Sequence, residues 1–426
     1  MTSLLVAIVP FALLAVLLWP AEFPPSISRS ASPTQLVVCA VVASLLGALF
    51  PTLLSRVASR IASRLDGPAT RERDSSTTPV DEMMRRNKRA DGSSSSLYGL
   101  DHAILNIPSL IPQTMWMNMG YWKNASHLPQ ACEALVEKIL QNAGLATSTQ
   151  ESSGQDIGTP SQGKKRRVLL DLGFGCGEQT LYLMRRKEEG DDGEENAPLF
   201  ERYVGITLDK TQYAFAKVRI DAAKGKNAHT TARTDIFCAD AAKPSSWPLE
   251  LQEAVDSAFR TSQDGEAADR ETERYVLALD TLYHFRPSRR EIFRYSHSAL
   301  RANFLAFDIF LAPPPASRTL KSILDSLFLR LLTPALSAPF SNFVTQEAYK
   351  AQLKAAGYAE EDITIDDITD DVFPGLATFL ETRQRDLTAL GLSGFSKWRI
   401  SGWLFRWLAA GDVLRAGVVV ARWRRD

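Results

Sequence analysis

The sequence has few cysteines, few histidines and no excess of either charge. Four cysteines occur in 426 residues, at positions 39, 132, 176 and 238, and no two of them form a CxxC pair. This spacing supports neither a disulfide framework nor a zinc site and fits a reducing compartment, so we expect no metal. Basic and acidic residues number 49 each, and this balance gives no general attraction to nucleic acid.

Long uncharged apolar runs are confined to the first 55 residues. Residues 4–20 and 36–54 carry no charge, and each approaches the ~20 residues that span a bilayer. A two-helix membrane hairpin within residues 1–55 is the favoured interpretation, with a single anchor, or a buried or cleaved segment, as alternatives. A signal peptide is disfavoured because residues 1–5 lack basic side chains.

Arginines follow the second apolar run and are scarce between the two runs. By the positive-inside rule this distribution places the main domain on the cytosolic side, for example at the endoplasmic reticulum. The arginines concerned are Arg56, Arg60, Arg64, Arg71 and Arg73.

The rest of the chain divides at polar segments. Residues 56–96 are basic and polar and indicate a linker, so a folded domain is expected at residues 97–385. Strand-like runs alternate there with helix-like runs, which predicts a doubly wound, parallel α/β sheet. Three polar tracts, at residues 147–167, 185–202 and 261–274, are expected to be solvated loops.

A glycine-rich turn follows the first predicted strand. In DLGFGCGEQT, Asp171 ends the strand and Gly173, Gly175 and Gly177 follow it, so a ligand can lie against the backbone at the carboxyl edge of the sheet. A dinucleotide fingerprint requires a third glycine where Glu178 stands. A carboxylate there suits a cationic ligand with an amino-acid moiety better than a diphosphate.

This motif resembles the first motif of class I S-adenosylmethionine-dependent methyltransferases, which have a Rossmann-like sheet. GITLDKTQ resembles the second-strand region of the branch that methylates sterols, tocopherols, fatty acyl chains and other lipophilic molecules. CADAAKPSSWP resembles the third motif, and MNMGYW the N-terminal cap over the cofactor. The resemblance implies S-adenosylmethionine as cofactor, bound by Asp171, the three glycines of the turn, Thr207, Gln212, Asp240, Ala241, Tyr121 and Trp122.

Candidates for a catalytic base follow the fourth strand. In LALDTLYHF, Asp280, Tyr283 and His284 come after an apolar strand, at the edge where ligands bind. A histidine at this position resembles the base of a group of natural-product O-methyltransferases. Asp308 is the only ionisable residue of the next strand and a plausible partner for His284, since a buried, unpaired carboxylate is costly. Structural roles for His284 and Asp308 remain open.

Two further segments bear on the substrate. Apolar residues recur at helical spacing within residues 313–343, where related methyltransferases insert a lid; an ordinary core helix is the alternative. Residues 386–426 hold four of the eight tryptophans together with several arginines, which suits a membrane interface or docking on the chain's own N-terminal region.

The sequence therefore predicts a membrane-tethered enzyme that methylates a lipophilic acceptor. A catalytically silent scaffold of the same fold and a nicotinamide-dependent oxidoreductase are the alternatives. The acceptor, the methylated atom and the oligomeric state are not predicted.

Overall fold

A computed structural model describes the chain in nine segments: residues 114–145, 166–187, 198–226, 233–260, 272–313, 319–335, 338–392, 396–410 and 413–425. The predicted membrane segments, the linker and the start of the domain lie outside them, as does much of the three polar tracts. Within the described segments, no helix combines the length and the hydrophobicity that a bilayer span requires.

Seven strands form one mixed sheet in the described chain. They are β1 (Arg166–Leu172), β2 (Arg202–Thr207), β3 (Arg233–Cys238), β4 (Thr272–Leu279), β5 (Asn303–Leu311), β6 (Ile363–Asp367) and β7 (Leu414–Ala421). The order is β3-β2-β1-β4-β5-β7-β6. Strands β1 to β5 are parallel in doubly wound order, and β7 runs antiparallel to both neighbours. The predicted α/β sheet is confirmed.

Helices cover both faces of this sheet. They are α1 (Leu128–Ala143), α2 (Glu178–Arg185), α3 (Lys210–Lys226), α4 (Leu249–Phe259), α5 (Arg290–Arg294), α6 (Leu320–Ala335), α7 (Gln346–Ala356), α8 (Thr369–Ala389) and α9 (Ser396–Ala410). Side chains of a strand alternate between faces: Leu169 of β1 packs into one hydrophobic core with α1 and α8, and Leu170 into a second core with α4 and α7. Two buried cores hold the strand ends, and hence the site, in place.

Strand β7 differs from the sequence interpretation. Residues 414–421 were assigned to a peripheral tail because arginines and tryptophans surround them. The structure buries Val418, Val419 and Val420 between β5 and β6. A short run of β-branched residues forms a fully buried strand as readily as an interfacial segment, so the sheet includes residues 414–421 of the predicted tail.

Candidate active site

A cavity of about 760 Å³ opens at the carboxyl ends of β1, β2 and β4. The order of the strands reverses at β1, which has β2 on one side and β4 on the other, and ligands of such sheets bind at this switch point. The turn after β1, the loops after β2, β3 and β4, and residues 115–118 line the cavity.

The turn after β1 needs glycine because its backbone is left-handed. Gly175 has a φ of +62°, and a Cβ built there would lie 3.5 Å from the sulfur of Met117, across the cavity edge. The N–H groups of Gly173 and Phe174 donate to a carbonyl of β2, and that of Gly177 donates within the turn. These three donors are therefore engaged by the protein itself.

Asp171 lies behind the turn. Its carboxylate is fully buried and accepts two hydrogen bonds from the Gln179 amide, at 2.7 and 2.8 Å, and one from the Tyr203 hydroxyl, at 2.5 Å. Burial raises the pKa of Asp171 to about 7, against the effect of these donors. Asp171 is not among the residues that line the cavity. It ties β1 to β2 and to the start of α2, and so positions the turn.

The ends of β2 and β3 form the next part of the wall. Thr207, Gln212, Asp240 and Ala241, which the resemblance assigns to cofactor binding, all line the cavity. The Thr207 hydroxyl donates to the Gln212 side-chain oxygen at 3.3 Å. The carboxylate of Asp240 lies 3.3 Å from the ammonium of Lys243. The four residues are brought together, which sequence spacing alone could not establish.

Residues 115–119, hereafter the strap, cross the cavity. At one end, the N–H of Met115 donates to the Glu178 carboxylate at 3.0 Å, and the same oxygen is paired with Arg219. Trp116 lines the cavity, and its buried indole N–H has no hydrogen-bond partner among the described residues. The strap thus forms part of the cavity wall, and it contains a buried donor without a partner among the described residues.

Asp280 fixes the other end of the strap. Its carboxylate accepts the N–H of Met119 at 2.8 Å and the hydroxyl of Tyr283 at 2.7 Å. Asp280 has a φ of +58°, uncommon for a residue other than glycine. Burial raises its pKa to about 7, although the two donors lower it. A carboxyl with a shifted pKa in a cavity wall indicates a functional group.

Of the three predicted catalytic residues, two line the cavity and one does not. Tyr283 and His284 line the cavity; Tyr283 is buried and His284 is exposed, with ring centroids 4.3 Å apart. Asp308 is fully buried outside the lining and forms an ion pair with Arg289. Burial raises the pKa of Asp308, and Arg289 opposes that shift. The partner expected from the sequence was His284. The contacts described for the Asp308 carboxylate come from Arg289, from the backbone N–H of Ile309 and from the Tyr349 hydroxyl, which also lowers its pKa.

Tyr121 and Trp122 lie beyond the strap rather than in the cavity lining. The buried indole of Trp122 donates to the carbonyl of Met119 at 2.8 Å and packs 5.2 Å from the ring of Phe379 in α8. The N–H of Tyr121 donates to a carbonyl of α1. Burial and a hydrogen bond to Asp371 raise the pKa of Tyr121 to about 12. Both side chains anchor the strap.

Sequence reasoning placed Glu178 in the glycine turn and Asp280 at the ligand edge without giving either a binding role, and it did not find Arg219. The position of Asp280 directly after the fourth strand was a usable signal, because carboxyl ends of parallel strands meet at the ligand edge. Arg219 gave no signal, since its contact with Glu178 joins residues 41 apart through helix packing.

No protein-family model and no curated protein matches the chain. Solved structures do match it. The cyclase SpnF is 16% identical with a TM-score of 0.42, over 76% of this chain and 92% of that one. A cyclopropane synthase from Mycobacterium tuberculosis, MmaA2, is 14% identical with a TM-score of 0.45, over 72% and 90%. A geranyl diphosphate methyltransferase in complex with S-adenosylmethionine is 13% identical with a TM-score of 0.37, over 61% and 79%. Similarity at this level does not identify a ligand, so the ligand has to be inferred from the residues that line the cavity.

Proposed function

We propose that this chain is a class I S-adenosylmethionine-dependent methyltransferase acting on a lipophilic small molecule. The acidic lining of the glycine-turn cavity carries this proposal. Four carboxylates line it, from Glu178, Asp209, Asp240 and Asp280, against two cationic side chains, those of Lys243 and Arg286. Glu178 is paired with Arg219 and Asp240 with Lys243. Both oxygens of Asp280 accept hydrogen bonds from uncharged donors. When Asp280 is ionised, these donors do not neutralise its charge, so the carboxylate attracts a cation in the cavity. A ligand with a net positive charge is favoured there.

The same turn disfavours a dinucleotide. Pyrophosphate binds to unengaged N–H groups at a helix N-terminus, but the N–H groups of Gly173, Phe174 and Gly177 donate to the protein. The first residue of α2 is Glu178, whose carboxylate would repel a diphosphate. A nicotinamide-dependent oxidoreductase is therefore the weaker candidate.

The residues present fit S-adenosylmethionine. Gly175 lets the ligand approach the backbone, Thr207 and Gln212 offer polar groups beyond β2, and Asp240 lies beside Ala241 after β3. The indole N–H of Trp116 is a donor for a carboxylate or an acceptor oxygen. When bound, the cofactor supplies a methyl group already activated on a sulfonium.

The chain's own residues then have three tasks. The glycine turn and the carboxylates hold the donor in line with the acceptor, which lowers the barrier through orientation. The strap excludes water from the cavity. His284 accepts the proton that a hydroxyl acceptor loses as the new bond to carbon forms, the usual role of a histidine base.

The membrane location rests on residues outside the described segments. Two uncharged runs at residues 4–20 and 36–54, followed by arginines, support a hairpin with the domain on the cytosolic side of the endoplasmic reticulum. A lipophilic acceptor would then reach the cavity from the bilayer.

Calorimetric titration of the purified full chain tests the proposal. We expect saturable binding of S-adenosylmethionine and S-adenosylhomocysteine and none of NADH. Binding of NADH alone would support the oxidoreductase, and binding of neither ligand would support a silent scaffold. Incubating membranes with labelled S-adenosylmethionine and a lipid extract, and identifying the labelled product, would then reveal the acceptor.

A further inference from the structure

Helices α6 and α9 pack against each other at the edge of the first core, to which they contribute the buried residues Leu329 and Leu408. The ring of Phe328 in α6 contacts Trp407 and Trp403 of α9, with centroids 4.9 and 5.8 Å apart. The indole N–H of Trp407 also donates to the Asp325 carboxylate at 3.0 Å. The predicted lid and the predicted interfacial segment therefore form one structural unit.

The outer surface of this unit is apolar. Leu324 and Leu331 are 53% and 41% exposed and lie one turn either side of Phe328. Ile400 is 54% exposed and precedes Trp403, itself 39% exposed, by one turn. Since Phe328 contacts Trp403, these side chains form a continuous patch. Six of the eleven large hydrophobic residues that are exposed in the described chain lie on the two helices: Ile323, Leu324, Leu331, Trp398, Ile400 and Trp403.

Basic residues outnumber acidic ones in the two helices, although Arg406 of α9 is paired with Glu381 of α8. Their sequences contain five basic residues and a single acidic one, Asp325. That carboxylate is engaged by Lys321 and by Trp407. Exposed apolar side chains with tryptophan, bordered by basic residues, have the composition of a surface that lies in the interface of an anionic bilayer.

The patch also adjoins the cavity. Arg330 of α6 stacks on the ring of Phe340, 4.9 Å from its centroid. Two residues further on, the Asn342 amide donates to the carbonyls of Tyr283 and Phe285, both in the cavity wall. These contacts link α6 to the part of the cavity wall that carries Tyr283 and Phe285.

We infer that the outer face of α6 and α9 docks on an anionic lipid bilayer next to the acceptor side of the cavity. The inference rests on the proposed function only for the direction of acceptor entry. Contact with lipid itself requires neither cofactor binding nor methyl transfer.

Photocrosslinking of the full chain tests the contact directly. The photoreactive residue p-benzoylphenylalanine would replace Ile400 or Leu324 in separate variants, reconstituted in vesicles of phosphatidylcholine and phosphatidylserine. Val218 in α3, which is 72% exposed, is the matched control position. We expect lipid adducts at Ile400 and Leu324 and none at Val218.

Mass spectrometry of the adducts distinguishes the other possible occupants. Adducts to residues 1–113, adducts to a second copy of the chain, absence of lipid adducts at both positions, or equal lipid adducts at Val218 would each overturn the inference. Circular dichroism before irradiation confirms that each variant is folded. If the chain binds no S-adenosylmethionine yet gives the expected adducts, the proposed function fails and the docking surface stands.

Discussion

The backbone N–H of Met119 donates a 2.8 Å hydrogen bond to Oδ2 of Asp280, 161 residues further along the chain. This bond and the one from Met115 to Glu178 hold the two ends of the strap to residues of the cavity wall. Both anchors are carboxylates, so attachment of the strap and attraction of a cationic ligand depend on the same groups.

The first prediction concerns the pH dependence of cofactor binding. The pKa of Asp280 is raised to about 7, so its carboxyl is mainly neutral below that pH and negative above it. S-adenosylmethionine has a net positive charge and favours the ionised form. We expect its affinity to increase by roughly tenfold, equivalent to about one pKa unit of coupling, as the pH rises from about 6 to about 8. Binding should release a proton, measurable by calorimetry in buffers of different ionisation enthalpy.

Two variants and one ligand serve as controls for that dependence. Asp280→Asn should lose most of it. Asp209→Asn, at an exposed carboxylate of the same cavity, should weaken binding and keep the dependence. S-adenosylhomocysteine lacks the sulfonium and should depend less on pH. An affinity of the unmodified chain that stays constant over this range would refute the coupling.

The second prediction concerns Gly175. Leucine at this position has to adopt a φ of +62°, and its side chain would occupy the edge of the cavity. Gly175→Leu should therefore abolish binding of S-adenosylmethionine. Gly144 is the matched control, because its φ is +79° and a Cβ there meets no atom within 4 Å. Gly144→Ala should cost about 1 kcal/mol of stability and leave binding intact. Unchanged affinity in Gly175→Leu would refute the cofactor site.

Local motifs of the site could be predicted from the sequence, and its long-range contacts could not. The glycine turn and the Thr207–Gln212 pair each lie within a few residues of one strand end, so their pattern is visible in the chain. The Met119–Asp280 and Arg289–Asp308 contacts depend on packing between distant segments. Strand β7 was missed for a different reason: the residues around it are arginines and tryptophans, which also occur at membrane interfaces.

The third prediction concerns His284. If it accepts the proton of a hydroxyl acceptor, His284→Ala should lower turnover by roughly 10²-fold or more, the usual scale for general base catalysis. Its ring is exposed and contacts the ring of Tyr283 at the edge of the first core, so affinity for S-adenosylmethionine and thermal stability should change little. The rate constant for a single turnover is the appropriate measurement. Full turnover in His284→Ala would mean that the acceptor requires no base from this position.

The fourth prediction separates a structural from a catalytic role for Asp308. Asp308→Asn leaves the charge of the buried Arg289 without its partner. Loss of one partner of a buried ion pair typically costs about 3–5 kcal/mol, which chemical denaturation would measure. The double variant Asp308→Leu, Arg289→Met should recover much of this loss. If Asp308→Asn instead lowers turnover with unchanged stability, Asp308 acts on the reaction, as the sequence first suggested.

The fifth prediction uses Asn124 as a reporter of membrane topology. Asn124-Ala-Ser126 is the only N-glycosylation sequon in the chain, and both Asn124 and Ser126 are exposed. A glycosylated site must face the lumen. The proposed hairpin places the domain in the cytosol, so Asn124 should carry no glycan when the chain is expressed in a eukaryotic host. Protease added to intact microsomes should digest the domain.

A fusion tests whether Asn124 is a competent acceptor at all. Replacing residues 1–55 with a cleavable signal peptide should send the domain into the lumen, where Asn124 becomes glycosylated, and Ser126→Ala should remove that glycan. If the fusion is glycosylated and the unmodified chain is not, the sequon is competent and the domain of the unmodified chain lies in the cytosol. If the unmodified chain shows an endoglycosidase-sensitive shift and resists the protease, the domain is lumenal, because a single anchor would then have crossed the membrane once.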